Sequence, residues 1–169
     1  MILAIDPGNI ESGYVLIDPD TCEPFEVGIL ANEALMDKLC DEWLDGGEGY
    51  VTHIAIEMIA SYGMPVGQDI FETCVWIGRF AQVAESFGNF AMPCDLVYRK
   101  NVKLHLCHTV AAKDSNITQA LIDRFASGQP NRGKGTKTEP GWFYGFKADI
   151  WQAYALAVLT ADTLTNAVA

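Results

Sequence analysis

The sequence predicts an α/β protein in which one mixed five-stranded sheet is flanked by helices, formed as a single domain over residues 1–169. Three observations predict it. The chain has 169 residues, half of them hydrophobic, which is enough to bury one sizeable core. Short apolar runs of strand length alternate with longer stretches of helical periodicity. Two of the short runs meet a single carboxylate, Asp6 at the end of one and Glu57 near the end of the other.

Taken in order, Met1–Ile5 is apolar, meets Asp6, turns at Pro7-Gly8 and resumes after Gly13, which predicts two strands of a hairpin. Pro24–Leu30 completes an antiparallel meander. Between Glu33 and Leu44, the residues Leu35, Met36, Leu39, Cys40 and Trp43 recur at three- and four-residue intervals, as one face of a helix requires, and Gly46-Gly47 stops it. Val51–Ile59 is β-rich and follows a helix, so it is expected to lie parallel to the first strand. A loop with Tyr62, Gly63, Pro65 and Gly67 leads into Gln68–Phe87, read as a mostly buried helix. Cys94–Tyr98 is a fifth strand and Arg99–His108 a basic helix. Ser115–Phe125 is a further helix, with Ser115 as N-cap and Ile117, Leu121, Ile122 and Phe125 as its buried stripe. Ser127–Lys147 has no periodicity and five glycines, so it reads as a long surface loop. The last helix is expected over Ala148–Asn166, with Asp149 in its first turn.

Composition narrows the function classes. No run of eighteen apolar residues and no basic leader is present, so neither a membrane span nor a signal peptide is expected. Five widely spaced cysteines without a C-x-x-C pair argue against a disulfide framework or zinc knuckle and fit a reducing cytoplasm. The net charge of −11 is unevenly placed. Residues 1–98 hold 17 acids against only Lys38 and Arg79, whereas residues 99–169 hold 9 bases against 5 acids. The second half therefore offers a basic face on an acidic body, and local potential matters more than the total.

A lone carboxylate at the end of a buried strand is costly unless a cation partners it, and a metal ion is the usual one. Plainer readings exist for each acid: turn chemistry for Asp6, a strand-end salt bridge for Glu57, and an acid favoured near a helix N-terminus for Asp149. The element order, however, is that of an RNase H-like fold with the first and fourth strands side by side. Asp6 and Glu57 then come from neighbouring strand ends, and Asp149 from a helix laid across the sheet. Three such side chains suit Mg²⁺, with Mn²⁺ as substitute. Two such ions would activate a water and stabilise the leaving oxygen of a phosphodiester.

Asp6-Pro-Gly8 with Ser12-Gly13-Tyr14, then Ile54-Ala-Ile-Glu57, then Asp149-Ile-Trp-Gln152-Ala153 with Ala155-Leu-Ala157, resembles the RuvC-type Holliday-junction resolvases, most closely their phage and prophage relatives. The resemblance spans nearly the whole chain. It implies a Mg²⁺-dependent endodeoxyribonuclease that resolves four-way DNA junctions in recombination and repair, as a homodimer, in the cytoplasm of a bacterial host. It implies Asp6, Glu57 and Asp149 as metal ligands with Gln152 as auxiliary, and Lys103 and Lys113 as the two family lysines that hold a phosphate. Two departures stand out: the family often carries a second Asp where Gln152 stands, and the turn between the lysines holds His108-Thr-Val instead of glycines. Arg99, Lys100, Arg132, Lys134 and Lys137 complete the expected DNA contacts. Tyr62 is read either as a wedge for unstacked bases at a crossover or as packing on the next helix.

Other motifs are weaker. Gly128–Gly135 nearly spells a Walker A loop, but Gly135 replaces its hydroxyl and no strand precedes it. His105, Cys107 and His108 fit a basic helix better than zinc, and Trp142–Phe146 fits packing better than base stacking. Alternative functions are a nuclease for other branched or flapped DNA, an actin-like sugar kinase, for which the second lobe is lacking, and a junction-binding protein without cleavage.

Overall fold

The computed structural model describes residues 1–44, 51–61, 63, 65–86 and 93–168. Its strands are β1 (Ile2–Asp6), β2 (Glu11–Ile17), β3 (Pro24–Ala31), β4 (His53–Met58) and β5 (Cys94–Tyr98), in the spatial order β3-β2-β1-β4-β5. β1, β2 and β3 form the antiparallel meander, while β1 pairs with β4, and β4 with β5, in parallel. The helices are α1 (Asn32–Lys38), α2 (Gln68–Ser86), α3 (Arg99–Cys107), α4 (Asp114–Phe125) and α5 (Ile150–Val168). This is the mixed sheet flanked by helices that the sequence predicts.

Side chains alternate across a strand, and that alternation decides where the acids go. Ile2 and Ala4 of β1, Val15 and Ile17 of β2 and Ala55 of β4 share a core with α3, α4 and α5. Leu3, Ile5, Tyr14, Leu16, Ile54 and Ile56 face the other way, against Leu35, Trp43, Trp76 and Phe80. The next residues in the first series are Asp6, Gly13 and Glu57, so the period of two places both carboxylates on the α5 face. Small residues on α5 (Ala153, Ala155, Ala157, Ala161) are buried there and let the helix lie close to the sheet.

Several expectations change. The helix after β3 ends at Lys38 and widens into a π-turn over Leu39–Trp43, closed by Leu44 N–H donating to Leu39 O at 3.1 Å. That widening keeps both Trp43 and Leu44 buried; the stop at Gly46-Gly47 lies outside the described residues. α2 is not mostly buried: Thr73, Trp76, Ile77, Phe80 and Ala84 form one inward stripe, and Phe71 and Val75, each 61% exposed, lie outside it. The N-cap of α4 is Lys113, with extended φ/ψ, because the Asn116 side chain accepts the Lys113 N–H at 2.9 Å; Ser115 lies inside the helix. Residues 127–147 are less of a surface loop than their composition predicts. They contain a 3-10 turn (Pro130–Gly133) and a bridge between Gly135 and Pro140, and they bury Phe143 and Phe146. Trp142 Nε1 donates to Tyr154 Oη at 2.8 Å, and that hydroxyl donates to Cys22 O at 3.0 Å, so the aromatic cluster packs as expected. Among the described residues no helix is long and apolar enough to cross a membrane.

Candidate active site

Asp6 is the last residue of β1 and pairs with Gly13 of β2. On its other side, β1 runs parallel to β4 in a register that ends at Ile5–Ile56, which sets Glu57 one step further on, beside Asp6. The turn behind Asp6 is held by a buried polar network. Ser12 Oγ donates to Asn32 Oδ1 at 2.6 Å, Asn32 Nδ2 donates to Gly8 O at 3.0 Å, and Gly8 N–H donates to Ser12 Oγ at 3.3 Å. Asn32 was not singled out from the sequence, and its only signal there is a polar residue at the junction of a strand and a helix.

Asp149 reaches this corner through a close approach of backbones. A Cβ on Gly13 would meet the Asp149 carbonyl carbon at 2.8 Å and its Cβ at 2.9 Å, so only glycine lets Asp149 settle over β2 beside Asp6. Asp149 is not in the first turn of α5 but just before it, accepting the Ala153 N–H at 3.0 Å. The preceding Ala148 has φ +36°, a left-handed conformation costing an L-residue about 1–2 kcal/mol and the kind of strain that gathers at functional sites. Gln152 lies one turn further along α5. Its Oε1 is buried and has no hydrogen-bond partner among the described residues, an omission worth about 1–3 kcal/mol.

The charges in this corner are poorly balanced. Burial, then repulsion from Glu57, pushes the Asp6 carboxyl up to about 8; Arg99 opposes this, and Asp149 and Asp114 add to it. Burial also raises Glu57, against the pull of Arg99. Arg99 opens α3 directly after β5 and divides its guanidinium: Nη1 donates to Glu57 Oε2 at 2.8 Å and Nη2 to Asp114 Oδ1 at 2.9 Å. Lys103, one turn on, is half-buried and within electrostatic reach of Glu57. Asp114 was not anticipated from the sequence, because α4 has to fold back to bring it here.

The donor set suits a hard divalent cation: carboxylates from two strands and a helix lead, and an amide oxygen with no hydrogen-bond partner among the described residues. The cage is not closed as it stands. No three His, Cys, Asp or Glu side chains among the described residues are grouped to hold a metal, and Arg99 takes up Glu57. The oxygen chemistry nevertheless fits, with Asp6, Glu57, Asp149 and Gln152 as the residues that would hold it.

The remaining expected residues are distributed as follows. Lys100, Lys113, Arg132 and Lys137 are exposed and Lys134 is half-exposed, and none of the five forms an ion pair among the described residues. Arg99 belongs to the carboxylate corner. His105 Nε2 pairs with Asp162 Oδ2 at 2.7 Å, and His108 is the left-handed C-cap of α3. Tyr62 lies outside the described residues.

A five-stranded β3-β2-β1-β4-β5 sheet with carboxylates at the ends of β1 and β4 and before α5 defines the RNase H-like class of fold. Within that class the chain has the fold of RuvC. It is similar to a Thermus thermophilus RuvC structure (TM-score 0.60, 12% identity, 98% of this chain and 96% of that one). It is also similar to T. thermophilus RuvC in complex with a Holliday junction substrate (TM-score 0.62, 11% identity, 98% and 95%). No family model and no curated protein matches the sequence.

Proposed function

We propose that this protein is a divalent-cation-dependent, structure-selective DNA endonuclease that cuts four-way junctions, working as a single domain in a homodimer. The observation that carries the reading is the corner itself, Asp6 with Glu57 and Asp149 within electrostatic reach at one end of the sheet; Gln152, one turn along α5, adds a buried Oε1 without a hydrogen-bond partner among the described residues. The similar fold seen bound to a Holliday junction supports the choice of substrate.

Asp6, Glu57, Asp149 and Gln152 would hold Mg²⁺ or Mn²⁺, which when bound supplies an activated water and charge stabilisation at the leaving oxygen. Asp6 and Glu57, fixed on adjacent strands, keep their carboxylates in a constant relation. Lys103, beside Glu57, and Lys113, at the head of α4, hold the scissile phosphate. Lys100, Arg132, Lys134 and Lys137, free of acid partners among the described residues, contact backbone phosphates, which are position-setting rather than sequence-reading contacts. A two-fold dimer supplies two equivalent sites for two symmetric nicks. The apolar surface left open on α2 by Phe71 and Val75 supports self-association.

A labelled four-way junction tests this. With Mg²⁺, paired nicks are expected near the crossover and linear duplex stays uncut; with chelator, the junction is bound but intact. Binding without nicking under both conditions would favour the second reading, a non-cleaving junction binder, which Gln152 and the Arg99–Glu57 pair make specific.

A further inference from the structure

Among the described residues, Arg99 is the cation paired directly with a proposed metal ligand, and the proposed chemistry does not use it. β5 runs parallel to β4 with Tyr98 opposite Met58, so the first residue of α3 arrives level with the strand end that carries Glu57. Its two acid partners differ. The Glu57 side chain is 14% exposed and Asp114 is 61% exposed. A carboxylate as enclosed as Glu57 requires a cation. Asp114, in the first turn of α4, already has water and the helix N-terminus to favour its charge. Nη1 holds one of the two Glu57 oxygens, Oε2, so a divalent ion on either oxygen would meet a like charge within a few ångströms.

We propose that Arg99 is the resident counter-ion of Glu57, so that the Glu57–Arg99 ion pair and divalent-cation binding at the carboxylate corner exclude one another. This rests on the metal-dependent reading above and adds a control on the same site. When Glu57 is taken by the cation, the second arm of Arg99 stays on Asp114, which keeps the guanidinium beside the corner. Its freed arm then presents donors in the planar geometry that suits a phosphate. The corner thus carries a positive charge in both states, first against a buried carboxylate and then toward the substrate.

The test is Mn²⁺ titrated calorimetrically into the DNA-free protein as wild type, Arg99→Gln, Arg99→Lys and Glu57→Gln, together with the Arg99 Nε–Hε NMR signal of the wild type during Mg²⁺ titration. Arg99→Gln should bind Mn²⁺ about tenfold more tightly, equivalent to about 1.4 kcal/mol, and should melt lower in chelator with the loss restored by Mn²⁺. Arg99→Lys should fall between, since an ammonium keeps the charge without the fork. The wild-type Arg99 signal should move with the calorimetric midpoint. Unchanged or weaker Mn²⁺ binding by Arg99→Gln, with binding lost in Glu57→Gln, overturns this inference alone. Equal binding by wild type and Glu57→Gln, or none by any form, overturns the metal reading with it. Should Arg99→Gln fail to fold, an Arg99 signal unmoved at saturating Mg²⁺ refutes the exclusion directly.

Discussion

Asp162, three turns along α5, accepts Arg124 Nη1 and Nη2 at 2.6 and 2.8 Å and His105 Nε2 at 2.7 Å; Asp149, at the head of the same helix, looks onto an Asp6 pushed up to about 8 by burial and neighbouring carboxylates. The Arg124 hydrogen bonds hold the Asp162 carboxyl below the ordinary range. One region thus uses its acid to tie α3, α4 and α5 together. The other sets Glu57, Asp149 and Asp114 near Asp6, with one arginine divided between Glu57 and Asp114. Negative charge left in excess inside a fold is a cost to stability, and groups perturbed in this way cluster at functional sites.

The largest expected effect comes from breaking the second region. Asp6→Asn or Asp149→Asn should lower junction cleavage by at least about a hundredfold, leave junction binding in place, and leave the melting temperature unchanged or raised. Cutting near the wild-type rate by either variant would remove the distinction between the two ends of α5. Gly13→Ala comes next. Its Cβ would press on the Asp149 backbone, so a loss of about 1–3 kcal/mol in denaturant unfolding is expected, as for overpacking elsewhere, together with reduced cleavage. A neutral Gly13→Ala would mean that Asp149 is held by something other than this contact.

Asp162→Asn addresses the paired end of α5. It should destabilise by about 1 kcal/mol, the upper range for a partly exposed pair with good bidentate geometry, and leave cleavage intact. Because the folded pKa of Asp162 lies below its unfolded value, its contribution is present above the ordinary carboxylate pKa and is lost as pH falls through the lowered one. The stability gap between wild type and Asp162→Asn should therefore close in acid, as melts across pH will show.

The smallest effect concerns the lysines. Lys103→Ala and Lys113→Ala should each weaken junction binding a few-fold and flatten its salt dependence by about one charge. Lys38→Ala should change neither, because Lys38 is already held by Glu26 at 3.2 Å and by Glu42, over the Trp43 ring. Equal effects from Lys38 and Lys103 would mean that the charge asymmetry of the chain has no role in binding.

What could be read ahead of the structure followed locality. Asp6 and Glu57 were legible because each is the single carboxylate at or near the end of an apolar run of strand length, and the parallel pairing of those runs follows from the helix between them. Asp149 was legible as an acid at a helix start, though not its place before the helix or the strained Ala148 that leads into it. The Glu57–Arg99–Asp114 chain was not legible, since it needs β4, the start of α3 and the start of α4 to meet, and no spacing encodes that. Ser115 lost the cap to Lys113 because Asn116 reaches back to the Lys113 N–H, a bond that composition alone does not rank. The helix Gln68–Ser86 misled through Phe71 and Val75, whose apolar side chains predict burial and instead lie open.

If a divalent cation, and not the fold, balances the charge of the carboxylate corner, thermal melts of wild type and Asp6→Asn over increasing Mg²⁺, starting from chelator, will separate the two proteins. The wild type should gain stability with Mg²⁺ as a ligand-linked protein does, while Asp6→Asn should start level with it or higher and stay flat. An Asp6→Asn protein that melts lower in chelator, or that gains from Mg²⁺ as much as the wild type, would contradict the account.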